Sequence, residues 1–246
     1  MTRRRTTLLH VDGTTLRVGR WRGDQGVAYV AVPPGARPPR PTAVRECIAI
    51  LARRGYQEAV TAALGPAEQP GFLDAGFSVR ERLHLLHRDL HGPLLERPRL
   101  ETRRARRNDR AEVLGLDRRA FAPFWQLDDH GLHEALAATP VSRFRVIAGA
   151  DGGEGVQGYA IAGRAGRRGY VQRLAVDPDA QGRGVGGALL ADSLQWLLRR
   201  GATGVLVNTQ EGNEAALALY RRAGFRLQPR GLAVLRTPLA AVPGPS

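Results

Sequence analysis

The sequence predicts an α/β protein with a mixed, mostly antiparallel sheet flanked by helices, preceded by a smaller α/β half of related design. Between residues 100 and 239, short apolar segments with strand patterning alternate with amphipathic helical ones. A glycine-punctuated loop from Gln181 to Gly187 joins an apolar strand to an amphipathic helix. Several short motifs also recur at a nearly constant distance along the chain. Together these features favour two related α/β halves over an all-helical or all-β fold.

The elements of the second half can be placed from apolar periodicity, capping residues and turn residues. Asn108 or Asp109 is suited to cap a helix that ends near Ala120, and Asn213 to cap the last helix. In order, we expect a strand at 101–106, a helix to 120, a loop and second helix over 121–136, strands at 144–148 and 157–162 joined by a turn at Asp151-Gly152-Gly153, a strand at 170–176, a helix at 186–200, a strand at 205–208, a helix at 213–222 and a strand at 232–235.

The first half resembles a degenerate copy of the second. Arg53-Arg54-Gly55 and Ala75-Gly76-Phe77 recur as Arg199-Arg200-Gly201 and Ala223-Gly224-Phe225. The counterpart of the glycine loop is Ala36-Arg37-Pro38-Pro39-Arg40-Pro41, whose three prolines lack amide donors. We therefore expect a first domain at 1–94 without an anion-binding loop and a second, functional domain at 99–240.

The glycine loop of the second half is suited to hold an anion. Its glycines allow close approach to the backbone, and its amides converge at a helix N-terminus, where the helix dipole favours negative charge. It is not a Walker loop, because the chain contains no lysine. It also departs from the dinucleotide fingerprint, because the third glycine arrives too early.

The motifs around this loop resemble those of the GNAT superfamily of acyl-CoA-dependent N-acyltransferases. Gln181, Gly184 and Gly186 match the hallmark Gln/Arg-x-x-Gly-x-Gly/Ala. Asn213 and the segments Leu219-Tyr220 and Ala223-Gly224-Phe225 follow in the same order as in that family. The resemblance covers residues 100–239 and implies a GNAT fold and acetyl transfer from acetyl-CoA to an amine.

The resemblance also implies a set of residues that bind acetyl-CoA. In the family, the backbone of the strand before the loop binds the pantetheine arm, and the loop amides bind the pyrophosphate. The residues so assigned are Leu174, Ala175, Val176, Gln181, Gly182, Arg183, Gly184, Val185, Gly186, Gly187 and Asn213.

Tyr220 lies where many family members have the general acid that protonates the departing thiolate. The alternative is an aromatic ring that packs on the acyl-CoA without donating a proton. The general base stays open between a water chain and Asp128, Asp129, His130, His133 or Glu211. The residues assigned to the acceptor are Phe124, Trp125, Asp128, Asp129, Tyr170 and Asn208.

Composition narrows the function classes further. All 37 basic residues are arginine and give a net charge of +14, but they are scattered along the chain, so we expect a solvated basic surface rather than a nucleic-acid site. Lone Cys47 and the spacing of the six histidines indicate neither a disulfide nor a metal site. We expect a cytoplasmic monomer or homodimer without membrane spans. A non-catalytic acyl-CoA-binding regulator is the alternative, because no base is evident.

Overall fold

The computed structural model describes residues 6–91, 100–149 and 155–239. The helices are α1 Pro41–Arg53, α2 Gln69–Leu73, α3 Arg110–Ala120, α4 Asp129–Ala137, α5 Val185–Arg199 and α6 Glu214–Arg222. The strands are β1 Thr7–Val11, β2 Thr14–Arg20, β3 Val27–Ala31, β4 Glu58–Thr61, β5 Ser78–Asp89, β6 Arg103–Arg104, β7 Val141–Ala148, β8 Val156–Ala165, β9 Arg168–Val176, β10 Gly204–Gln210, β11 Arg226–Leu227 and β12 Leu232–Pro238. The turn expected at 151–153 and most of the expected join between the halves lie outside the described residues.

Contacts divide the described chain into two compact units. Unit 1 takes the residues up to His84, Gln210–Gly212 and those from Pro229 onward, and unit 2 takes Leu85–Thr209 and Asn213–Gln228. This division does not follow the linear boundaries 1–94 and 99–240, which stay a prediction about the two halves of the sequence. The difference arises from β5 and β12, each of which pairs outside its own half.

Unit 1 contains a sheet in the order β1-β2-β3-β4-β12-β5. Strands β3 and β4 are parallel, whereas β12 is antiparallel to both β4 and β5. Helix α1 begins with Pro41, whose fixed φ suits the first helical position, and buries Cys47 in the core. Ala233 and Leu235 of β12 belong to the same core as Phe72. The last strand of the sequence therefore completes the first unit.

Unit 2 contains the second part of β5 followed by β10-β9-β8-β7-β6, with β11 paired to β5. Strands β9 and β10 are parallel, whereas the pairs β6–β7, β7–β8 and β8–β9 are antiparallel. Tyr159 and Ile161 pack in one cluster with α3, and Ala160 packs in another with α5. Because adjacent strand residues point to opposite faces, helices cover both faces of this sheet. The predicted fold class is confirmed.

The internal similarity of the two halves is visible in one local motif. In unit 1, the amide of Phe77 donates to the carbonyl of Phe72 at 3.1 Å, and the two rings meet edge to face 5.2 Å apart. In unit 2, the amide of Phe225 donates to the carbonyl of Tyr220 at 3.0 Å, and their rings are 5.7 Å apart. Phe72 is thus the structural counterpart of Tyr220, as the repeat predicts, and it lacks the hydroxyl.

Candidate functional site

Strands β9 and β10 separate soon after they begin to pair. Their parallel register runs only from Gly204 opposite Arg168 to Leu206 opposite Tyr170. The register between β9 and β8 then shifts where Val171 and Arg173 flank an extra residue, Gln172. A bulge of this kind bends its strand and increases the local twist. The rest of β9 therefore leaves β10, and a gap opens between the two strands.

The edge of β9 that faces this gap is formed by Leu174 and Val176. The amide of Asp177 donates to the carbonyl of Gln157 at 2.9 Å, so Asp177 points its backbone groups toward β8. Alternate residues of a strand direct these groups to opposite edges. Ala175 hence bonds toward β8, whereas Leu174 and Val176 present amides and carbonyls to the gap. An extended polar chain placed in the gap would find hydrogen-bonding partners there.

The glycine loop begins directly beyond β9. Gly182 and Gly184 have φ values of +75° and +84°, a left-handed conformation that other residues adopt at a cost. Gly184 is the N-cap of α5, and its carbonyl accepts from the amide of Ala188 at 3.0 Å. The first amides of α5, including those of Val185 and Gly187, have no carbonyl one turn earlier to bind. They are available to an anion at the end of the gap.

Gly186 brings this helix terminus close to its surroundings. A Cβ atom added at Gly186 would lie 3.3 Å from Leu219 and 3.4 Å from Val176, tighter than most real contacts. The side chains of Gln181 and Arg183 are exposed on the loop. The residues assigned to acetyl-CoA on β9, the loop and α5 therefore lie around one gap, and which of them bind it stays a prediction.

The corresponding strands of unit 1 do not open. Strands β3 and β4 stay paired from Val27 opposite Glu58 to Val30 opposite Thr61. The ladder continues one residue further, since the amide of Ala62 donates to the carbonyl of Val30 at 2.9 Å. Unit 1 thus lacks the gap seen between β9 and β10.

Helix α6 carries the two remaining residues of the predicted site. Asn213 caps it, accepting from the amide of Ala216 at 3.0 Å, as expected. Tyr220 is 5% exposed and packs in an apolar cluster with Leu217 and Phe225. Burial raises the pKa of the Tyr220 phenol, and the charge of Arg173 acts in the opposite direction. The phenol accordingly keeps its proton at neutral pH.

The segment expected to form the acceptor wall lies between α3 and α4. Phe124 and Trp125 form a 3-10 turn with Pro123, and their rings meet edge to face 5.1 Å apart. Asp128 caps α4, accepting from the amide of Gly131 at 2.7 Å. Its carboxylate is thus already engaged in local structure, a role that sequence reasoning did not assign to it.

The other candidate acceptor and base residues lie on α4, on β9, on β10 and directly after β10. Asp129 is largely exposed and lies 3.6 Å from Arg110. Tyr170 is the last residue of β9 that pairs with β10, and Asn208 is exposed on the part of β10 beyond that pairing. The remaining base candidates are His130, 3.5 Å from Glu134, and the exposed residues His133 and Glu211.

The sequence analysis did not identify an ionic cluster between α3 and the sheet, formed by Asp117, Arg173 and Tyr159. Asp117 of α3 is fully buried and accepts from Nε and Nη2 of Arg173 at 2.9 and 2.8 Å, and from the hydroxyl of Tyr159. Burial raises the pKa of Tyr159, so that hydroxyl remains a donor. These residues are 56 and 42 positions from Asp117, a separation that local patterns do not reveal.

A cavity of about 420 Å³ adjoins the glycine loop, between α3 and the ends of β8 and β9. Its wall includes Arg183 and an ion pair between Arg119 and Asp177, in which Nε of Arg119 lies 3.1 Å from the carboxylate. Asp177 also accepts from the amide of Asp179 at 3.1 Å. The hydrogen bond from Arg119 holds the pKa of Asp177 below its ordinary value.

The gap, the glycine loop and the capped helix lie within residues 110–225, which match the model of the acetyltransferase (GNAT) family. Residues 110–225 therefore belong to the GNAT acetyltransferase family. No group of three or more residues suited to hold a metal ion occurs in the parts of the chain that the structure describes. Nor does any helix in those parts have the length and apolar character needed to cross a membrane.

Known relatives carry a specific acetyltransferase name. The chain is 52% identical over 56 residues to a mycothiol acetyltransferase of Clavibacter sepedonicus, covering 23% of this chain and 18% of that protein. It is 32% identical over 173 residues to a mycothiol acetyltransferase of Nocardioides sp., covering 61% of this chain and 59% of that protein. The chain thus spans less than two thirds of either GNAT relative.

A solved structure supports the fold over nearly the whole chain. A tandem GNAT protein from the clavulanic acid biosynthesis pathway matches with a TM-score of 0.65 and 15% identity, covering 94% of this chain and 79% of that one. At that identity the likeness concerns the fold alone. It confirms the resemblance to a tandem GNAT arrangement.

Proposed function

We propose that this GNAT protein transfers the acetyl group of acetyl-CoA to a primary amine, by direct transfer within a ternary complex. The observation that carries the proposal is the gap between β9 and β10, which ends at the glycine loop and the N-terminus of α5. The gap offers backbone groups to an extended amide-containing arm, and the loop offers amides to a pyrophosphate. Acetyl-CoA contains both parts in that order.

In this proposal the backbone of Leu174 and Val176 binds the pantetheine arm, and the amides from Gly182 to Gly187 bind the pyrophosphate. The exposed guanidinium of Arg183 adds a charge-assisted hydrogen bond to a phosphate oxygen. Asn213 holds the start of α6 beside the arm, in addition to its role as a helix cap. The +14 net charge assists the capture of this polyanion at low ionic strength.

The chemical step requires a neutral amine and a protonated leaving group. The amine nitrogen attacks the thioester carbonyl, the C–S bond breaks, and the thiolate of CoA takes a proton from the hydroxyl of Tyr220. Tyr220 carries its proton near neutral pH, as a general acid must, although its raised pKa makes the phenol a weaker acid. The amide of Val176 would polarise the thioester oxygen. The base that deprotonates the amine is a water chain or one of the candidate side chains.

The acceptor class includes a protein N-terminal amine, a small metabolite and an amine antibiotic. The names of the Clavibacter and Nocardioides relatives add the acceptor of mycothiol acetyltransferases to that set. The first half of the sequence, with its paired β3 and β4, would be non-catalytic. We further propose a cytoplasmic monomer or homodimer that binds neither nucleic acid nor membranes.

The alternative is a non-catalytic regulator that binds acyl-CoA. It is favoured by the environment of two base candidates, since Asp128 is engaged as a helix cap and Asp129 is largely exposed beside Arg110. The two functions differ in whether any amine supports turnover.

Isothermal titration with acetyl-CoA, followed by a free-thiol assay against an amine panel, distinguishes them. The proposal predicts binding by the wild-type protein and release of CoA with at least one amine. Tyr220→Phe should bind acetyl-CoA normally but lose about 100-fold in kcat, whereas the control Tyr56→Phe in unit 1 should match the wild type. Binding without turnover on any amine would favour the regulator, and absence of binding would overturn both functions.

A further inference from the structure

The segment between α3 and α4 is bound to the bulge of β9 by one largely buried side chain, that of Arg173. Nη2 of Arg173 donates to the carbonyl of Trp125 at 2.7 Å, and its guanidinium carbon lies 3.6 Å from the centre of the Phe121 ring. Both contacts fall on the segment assigned to the acceptor wall. Arg173 also lies directly after Gln172, the extra residue of the bulge, and directly before Leu174, whose backbone faces the gap.

Asp117 binds both Arg173 and the backbone of the same segment. The amide of Leu127 donates to its Oδ1 at 2.7 Å, while Arg173 and Tyr159 occupy its remaining acceptor positions. The carboxylate is fully buried, and the side chain of Arg173 is only 11% exposed. Such a pair is tolerated because hydrogen bonds satisfy it on every side.

An apolar pair of similar volume could fill the same space without the cost of burying charge. What an apolar pair cannot do is direct bonds to the carbonyl of Trp125 and the amide of Leu127. The cluster is therefore better explained by the geometry that it imposes on the segment than by its stability. The positive charge of Arg173 also acts on Tyr220. Burial raises the pKa of that phenol, and the charge of Arg173 opposes the rise without cancelling it.

We propose that Arg173 is a positioning residue which, with Asp117, fixes residues 121–127 against the bulge of β9 and so sets the acceptor side of the active site. This inference rests on the proposed acetyl transfer, since it assigns the segment to the acceptor. It does not involve the glycine loop, so binding of acetyl-CoA is expected to be independent of it. A fixed wall selects among amines, because a misplacement of about 1 Å is enough to impair transfer.

Three variants test the proposal. Arg173→Lys keeps the positive charge but cannot reach the carboxylate and the Trp125 carbonyl together. The double variant Asp117→Leu with Arg173→Met removes both charges without leaving either one buried and unpaired. Tyr159→Phe is the matched control, because it removes one hydrogen bond from the same carboxylate and leaves both ties to the segment in place.

Hydrogen–deuterium exchange of the peptide covering 121–127 gives a readout independent of turnover. We expect its amides to exchange about tenfold faster in the lysine and double variants and at wild-type rates in Tyr159→Phe. The Kd for acetyl-CoA, measured by titration, should stay within about threefold of wild type in all three. For the panel amine with the highest kcat/KM, KM should rise about fivefold in the first two variants alone.

Unchanged exchange in the double variant would overturn the proposal, even if acetyl transfer is confirmed. An equal rise of KM in Tyr159→Phe would also overturn it, since general loss of stability would then explain the effect. If no amine supports turnover, the proposed transfer fails, whereas the exchange data still decide whether Arg173 and Asp117 hold the segment.

Discussion

Replacement of Gly184 by alanine separates backbone strain from loss of the anion site. Gly184 has φ of +84° and Gly166, in the turn between β8 and β9, has φ of +56°. An added Cβ has no protein atom within 4 Å at either position, so neither substitution causes a clash. Each substitution should therefore lower the free energy of unfolding only by the strain of an alanine in the left-handed conformation, about 1–2 kcal/mol. For a protein of this size that lowers Tm by roughly 2–8 °C.

The two variants should differ in binding alone. The Cβ of Gly184→Ala would stand where the pyrophosphate meets the amides of α5, so we expect its Kd for acetyl-CoA to rise at least about tenfold, equivalent to about 1.4 kcal/mol. Gly166→Ala should bind like the wild type. The assay is titration calorimetry beside thermal unfolding without ligand. Equal Kd values for both variants and the wild type would refute the assignment of the loop to the anion.

Three further outcomes follow from the structure. Because the raised pKa of Tyr220 keeps its phenol protonated, the pH profile of kcat should show no descending limb below about pH 10; a limb near pH 8 would exclude Tyr220 as the acid. Burial of Asp192 opposes its ionisation, but the hydrogen bond and charge of Arg143 outweigh it and lower the pKa; the stability this gives is present above about pH 3.9 and lost as pH falls through the lower folded value. The fall in Tm below pH 4 should hence be shallower in Asp192→Asn, and an identical fall would contradict this account. Asn213→Ala removes the cap bond to Ala216 and should cost about 1 kcal/mol in chemical denaturation; no loss would show that the cap is dispensable.

Much of unit 2 could be predicted because its boundaries are marked by local chemistry. Helix α5 starts at Val185, directly after a glycine with positive φ, and α6 starts directly after the Asn213 cap. Glycines and capping residues act over a few positions, so their effect is readable in the sequence. The equivalence of Phe72 and Tyr220 was predictable for the same reason, since each precedes a Gly-Phe motif by a fixed interval.

The features that sequence reasoning missed depend on distant partners. Nothing local marks Gln172 as the residue that bulges, because the bulge follows from how β9 pairs with β8. Asp117 and Arg173 resemble ordinary surface charges until the fold buries them together. The place of β12 in unit 1 was equally hidden, since the apolar pattern of 232–235 suits a strand in either unit. Asp128, predicted at the acceptor, also caps α4, a role that the sequence analysis did not assign to it.

The placement of β12 in unit 1 has a consequence for the order in which the protein is completed during synthesis. Unit 2 uses residues 85–209 and 213–228, all of which leave the ribosome before β12. Unit 1, whose first strands precede unit 2 in the sequence, lacks Ala233 and Leu235 of its core until β12 has been made. Unit 1 therefore completes its core after all residues of unit 2 have been synthesised. Nascent chains stalled before residue 229 should leave α1 open to protease, and a protected α1 in such chains would contradict this order.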